Sequence, residues 1–285
     1  MSPLRQQMID AMTVRGFSPR THKSYLFAVN DLARFYHASP DQLTIEQLQA
    51  FFLYLVKERS YSPSSCRLSL CAMRFLYHQV LQREDFTSPL VVPKGKQRIP
   101  ELLTRKEVAE ILSAGKNLKH RMLLFTAYGC GLRVSELVHL RLRNIDGERR
   151  QLRIEQGKGD KDRYVVLPTA LLQRLREYWL VYRPRVWLFA NQTRQPEQPI
   201  KADTAQRAFC QAKRKTTISK RGGIHSLRHA YATHQLEAGL PVHLLQAQLG
   251  HGCIQSTLRY IHWLPTCQQR EGRVIDLIDA LGEYQ

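Results

Sequence analysis

The chain has 285 residues, 43% hydrophobic and 24% charged, so it can supply a core at a charged fraction close to the globular average. Its 43 lysines and arginines against 24 aspartates and glutamates give a net charge of +19, a surface that repels itself unless a polyanion covers it, with nucleic acid the expected partner. No apolar run reaches the roughly 18 residues of a membrane span. The N-terminus lacks the pattern of a secretory leader, and the six cysteines (66, 71, 130, 210, 253 and 267) form no CxxC pair, as expected of reduced thiols in a cytoplasmic protein.

Residues 1–87 read as helical. Ser18-Pro19 and Ser62-Pro63 are helix starts, the serine capping and the proline taking the first turn. Thr44 with Gln47 fits a capping box. Apolar residues recur at helical spacing after each start, as in Tyr25, Val29, Leu32 and Phe35. A bundle of about four helices is expected over 1–87. Residues 88–100 then carry three prolines and the basic run Lys94-Gly95-Lys96-Gln97-Arg98, which argues for a linker between domains. Two readings fit the run: a strap along DNA, or a solvated connector.

Beyond the linker, 101–285 reads as a second domain. Thr104 with Glu107 opens a helix, residues 121–129 form an apolar one, and another begins near Val134. Residues 151–156 and 163–168 alternate as strands around the glycine-rich, basic tip 157–161. Helix returns at 169–182, about 203–214, and from Ser226 onward, with Gly239 and Gly250 as stops. The fold class expected is mainly α with a small β-sheet. Charge follows this division: residues 1–93 hold 10 basic and 7 acidic side chains, residues 94–285 hold 33 and 17. Most of the grip on phosphates is therefore expected from the second domain.

Cleaving a phosphodiester without a metal requires cationic donors for the non-bridging oxygens, a nucleophile, and an acid for the leaving oxygen. This domain holds all three. Arg133 follows two glycines and stands at a helix start, where the helix dipole also attracts an anion. His225 and Arg228, three apart, share a helical face. Leu249-Gly250-His251 comes next, and Tyr260 nine residues later. Each piece alone has an ordinary structural explanation. His229 and His234 could suggest zinc, but no glutamate completes an HExxH arrangement.

In this order the pieces resemble the tyrosine recombinase/integrase family. The blocks that carry the resemblance are Ala-Tyr-Gly-Cys-Gly-Leu-Arg-Val-Ser-Glu-Leu (127–137), Gly-Lys-Gly-Asp-Lys-Asp-Arg (157–163), His-Ser-Leu-Arg-His-Ala-Tyr-Ala-Thr-His (225–234) and Leu-Gly-His (249–251). Ser-Pro-Arg-Thr-His-Lys-Ser-Tyr (18–25) is similar to the family's core-binding domain. Length and block spacing look most like bacterial Xer-type enzymes. The resemblance implies an N-terminal core-binding bundle and a C-terminal α+β catalytic domain. It implies that Arg133 and Arg228 clamp the scissile phosphate, that Lys158 protonates the leaving 5′ oxygen, and that His225 and His251 bond phosphate oxygens and assist proton transfer. Tyr260 would attack to give a 3′-phosphotyrosine, with Glu136 orienting the arginine-bearing segment. Neither metal, cofactor nor ATP is implied. The implied partner is double-stranded DNA with inverted-repeat core sites, on which the protein forms a tetramer, alone or with a related recombinase. The tail, Arg273 to Gln285, carries apolar residues at helical spacing; in relatives such a tail docks into a neighbouring subunit.

Two other readings compete. Residues 226–260 could form a helix-turn-helix in a non-enzymatic DNA-binding protein, which leaves the ordered Arg, Lys, His and Tyr unexplained. A type IB topoisomerase uses similar chemistry, but the N-terminal bundle and the tail favour recombination between paired sites.

Overall fold

A computed structural model describes residues 2–83, 91–93, 99–155, 162–191 and 198–263. They fall into two compact units, Met1–Arg98 and Ile99–Gln285. Of the expected linker, the basic run 94–98 lies outside the described residues.

The first unit packs α1 (Pro3–Val14), α2 (Pro19–Tyr36), α3 (Ile45–Lys57) and α4 (Pro63–Arg74), the last continuing into a π-helical segment, Phe75–Val80. Three of the four helices begin identically. Ser2, Ser18 and Ser62 precede a proline and accept the N–H of Arg5, Thr21 and Ser65. The proline has no N–H to leave unpaired and a φ already set for the helix. α3 starts from the full Thr44–Gln47 capping box. The first helix, to which the sequence reading assigned no start, uses the same Ser-Pro signal. Met8, Leu32, Leu48, Phe51, Leu55 and Met73 form the core of this unit, and the buried Tyr77 hydroxyl donates to the carbonyl of Pro40.

In the second unit α5 (Arg105–Ser113) opens on the Thr104–Glu107 capping box. α6 (Leu118–Gly129) starts three residues before the expected 121, because Asn117 Oδ1 accepts the His120 N–H. α6 is the central helix: Met122, Leu123, Leu124, Thr126 and Ala127 are buried around it, and it packs on α8 (Thr169–Tyr182), α9 (Ala202–Lys213) and α10 (His225–Glu237). A helix apolar on most sides belongs inside. The short α7 (Val134–Val138) follows Arg133, and α11 (Val242–Leu249) and α12 (Gln255–Trp263) complete the unit.

The sheet is antiparallel in the order β1 (Ile145–Asp146), β2 (Gln151–Ile154), β3 (Arg163–Val166). Leu152 faces Val165 and Ile154 faces Arg163. The hairpin is thus where the sequence placed it, with shorter strands and an added β1. Its tip, 156–161, lies outside the described residues and takes Lys158 with it. The tail from 264 onward is outside them as well. On the free side of β3, Gln248 of α11 closes the edge: its Oε1 accepts the Val166 N–H at 3.1 Å. No helix among the described residues is long and apolar enough to cross a membrane.

Candidate active site

Arg133 occupies the N-cap of α7, and the chain reaches it through Gly131 at φ +59. A Cβ at Gly131 would stand 2.4 Å from the Tyr231 ring, so both the backbone conformation and the packing demand glycine. One turn on, Glu136 is 7% exposed and binds three arginines. Oε2 accepts the Arg133 backbone N–H at 2.9 Å and Oε1 accepts Arg133 Nη1 at 2.7 Å. Arg163, from the inner face of β3, donates to both oxygens at 2.9 and 2.8 Å. Arg228 Nη1 lies 3.8 Å away. Burial by itself raises the Glu136 pKa, but hydrogen bonds and charge from Arg163, with those from Arg133, win and hold it at about 2. A buried carboxylate is tolerated because every oxygen is matched. Three guanidiniums around one carboxylate still leave a net positive site.

The arginines are also tied to backbone carbonyls. Arg133 Nη2 donates to Gly250 (3.1 Å), Arg163 Nε to Gln248 (3.1 Å), and Arg228 to Gly131 and Leu249 (2.7 Å each). Gly250 ends α11 at φ +61, where a Cβ would meet Arg163 at 2.7 Å. The turn after α11 is therefore built onto the guanidiniums. Arg228 is only 1% exposed; burial first, then Arg133, lowers its pKa to about 10, which leaves it charged at neutral pH.

Histidines surround this cluster. Arg228 Nη2 donates to His251 Nε2 at 3.1 Å, so the other ring nitrogen carries the proton and donates to Thr257 Oγ1 at 2.9 Å. Burial, then Arg228 and Arg133, lowers His251 to about 4 and keeps it neutral. His225, at the start of α10 and open to solvent on one side, is shifted down by lost hydration and by the same two arginines. One turn on, the His229 ring lies 4.5 Å from that of His225.

Tyr260 projects from α12 and is 3% exposed. Its ring runs parallel to that of His251 at 6.2 Å, and its hydroxyl is 3.2 Å from His229 Nδ1. Trp263 stands edge-on to both Tyr260 and His229. Burial raises the phenol pKa, while Arg228, Arg133 and Arg259 act against it. The hydroxyl is therefore protonated at rest. Among the described residues no group of His, Cys, Asp and Glu is placed to hold a metal ion, and His234 is bonded to the Tyr128 hydroxyl at 2.9 Å.

Of the residues singled out from sequence, Arg133, Glu136, Arg228, His251 and Tyr260 form one connected group, with His225 at its rim; Lys158 is outside the described residues. Arg163, Thr257 and the contact of His229 with Tyr260 were missed. Arg163 had a readable signal, since an arginine on the same strand face as the buried Val165 must find a buried partner. Chemically, the group offers fixed positive charge, neutral imidazoles and a buried phenol.

Residues 101–266 match the phage integrase family, and residues 4–85 match the SAM-like N-terminal domain of phage integrases. A Sinorhizobium fredii protein that bears an integrase/recombinase name, y4qK, is 40% identical over 92% of this chain and 84% of its own length. The tyrosine recombinase XerA of Pyrococcus horikoshii is 27% identical over 91% of this chain and 88% of its own. Among solved structures, lambda integrase, crystallised as a tetramer bound to a Holliday junction, shares the fold with a TM-score of 0.73 at 18% identity, covering 96% of this chain and 79% of that one. The chain therefore belongs to the phage integrase family and is a site-specific tyrosine recombinase, an enzyme that cleaves and rejoins DNA.

Proposed function

We propose that Tyr260 is the nucleophile and that the residues around Glu136 hold the phosphate it attacks. The observation that carries this is the chain of contacts from Glu136 through Arg133 and Arg228 to His251, with the Tyr260 ring parallel to His251. Arg133 and Arg228 clamp the non-bridging oxygens, where charge develops in the transition state. Glu136 orients the arginine-bearing segment. His225 and His251 contribute hydrogen bonds to the phosphate. For His251, whose Nε2 now accepts from Arg228, this requires a change of tautomer or a second proton, which becomes accessible once the phosphate draws that N–H away. Lys158, or Lys161 on the same tip, protonates the departing 5′ oxygen; the family pattern favours Lys158.

The tyrosyl oxygen forms a bond to phosphorus as the bond to the 5′ oxygen breaks, leaving a 3′-phosphotyrosine and a 5′-hydroxyl. One ester replaces another, so the reverse reaction needs no ATP, and the sequence of steps uses no metal. The DNA partner is a duplex with inverted-repeat core sites. Two such sites bring four protomers together, an assembly supported by the tetramer seen for lambda integrase on a Holliday junction. The protein acts alone or with a related recombinase, in the cytoplasm.

Tyr260→Phe tests the reading. It deletes one oxygen and leaves the ring packing intact. The variant should bind DNA as the wild type does and form no covalent adduct with a nicked core-site duplex on a denaturing gel. Adduct in the variant removes Tyr260 from this role.

A further inference from the structure

A nucleophilic phenol has to lose its proton as the new bond forms, and a tyrosine this buried does not lose it to water. We infer that His229 is the group that receives the Tyr260 proton during strand cleavage and returns it during rejoining, an inference that rests on Tyr260 being the nucleophile.

Two other groups of the site are committed elsewhere, and His225 stands at its rim. Glu136 has both oxygens on arginines. His251 has one ring nitrogen accepting from Arg228 and the other on Thr257. His229 Nδ1, by contrast, lies 3.2 Å from the Tyr260 hydroxyl, within reach for direct transfer. The positive charge of Arg228 favours the phenolate form of Tyr260. The imidazole is held for the purpose: it sits one turn after His225 on α10, with that ring at 4.5 Å and Trp263 of α12 at 5.3 Å. It is also neutral, because burial, then His225 and Arg228, lowers its pKa to about 4, and only a neutral ring can accept.

The step balances. The O–H bond of Tyr260 breaks and its proton passes to His229 Nδ1. The oxygen bonds to phosphorus, and the bond to the 5′ oxygen breaks, that oxygen taking its proton from the hairpin lysine. The imidazolium so formed stands beside Arg228, a repulsion that the bound phosphate offsets. In rejoining, the 5′-hydroxyl gives its proton back to the hairpin lysine as its oxygen bonds to phosphorus, the bond from phosphorus to the tyrosyl oxygen breaks, and the imidazolium returns its proton to the departing phenolate.

The experiment is single-turnover cleavage of a nicked duplex carrying a core site selected by the protein from random-sequence DNA. His229→Ala and His229→Gln should bind this duplex normally and form the adduct about a hundredfold more slowly. Glutamine can accept the hydrogen bond but cannot take the proton, so its loss separates proton transfer from positioning. Replacing Tyr260 by 3,5-difluorotyrosine, whose phenol ionises far more readily, should restore most of the lost rate in either His229 variant. Wild-type rates in His229→Ala overturn the proposal, as does a slowed variant, or one that fails to fold, whose glutamine counterpart cleaves normally. A defect that difluorotyrosine does not relieve assigns His229 a structural role and overturns it too. Adduct persisting in Tyr260→Phe would instead refute the nucleophile assignment, so the two failures are distinguishable.

Discussion

Glu136 carries one negative charge among three guanidinium groups and holds them against their mutual repulsion. Replacing it by glutamine keeps the shape and removes the charge, and loss of one partner from a buried ion pair costs about 3 kcal/mol. Glu136→Gln should lower the urea midpoint of the second unit accordingly; an unchanged midpoint would mean that solvent already screens the cluster. The same group sets an acid limit. Its folded pKa, about 2, lies below the ordinary 4.5, so its contribution is complete above pH 4.5 and disappears as the pH falls toward 2. That part of the acid transition should be missing in the variant. Lys158 has its own test. A 5′-bridging sulfur leaves as a thiolate that needs little protonation near neutral pH. Lys158→Ala should cleave normal DNA roughly a hundredfold more slowly and recover on sulfur-substituted DNA, whereas Arg133→Ala should not. Recovery of Lys161→Ala alone would move the acid to the other lysine.

At the level of elements, positive φ has different consequences in different places. Gly239, at φ +89, has nothing within 4 Å of a Cβ position, whereas at Gly131 a Cβ would enter the Tyr231 ring. Gly239→Ala should cost roughly 1–2 kcal/mol from backbone strain alone. Gly131→Ala adds an overpacking term and should reach roughly 2–5 kcal/mol; equal melting temperatures for the two variants would show that the turn before Arg133 can relax. Helix starts were legible because their signals are local: Ser18-Pro19, Ser62-Pro63 and the two capping boxes each act within four residues. The strand pair was legible for the same reason. The two-residue β1 carries too little pattern to be read, and it forms because β2 offers a partner. Arg133, Arg228, His251 and Tyr260 stood out through spacing and resemblance. The Arg163–Glu136 pair spans 27 positions and the His229–Tyr260 contact 31, distances over which sequence alone gives no register.

For the whole molecule, the charge surplus in residues 94–285 makes a thermodynamic demand. Each phosphate neutralised contributes about −0.9 to the slope of log K against log salt, so binding to a core-site duplex should fall with a slope steeper than about −3. A shallower slope in a fluorescence-anisotropy titration would show that most of these charges do not meet DNA. The four-protomer assembly proposed above would gather several copies on one DNA without letting them stick to one another indiscriminately. The exposed Tyr164 and Val166 on β3 are the residues of an aggregation-prone edge. Because the Gln248 side chain occupies the Val166 N–H, an incoming strand from a crowded neighbour finds that rung of the ladder already taken, and a three-stranded sheet can remain three-stranded where the local protein concentration is highest.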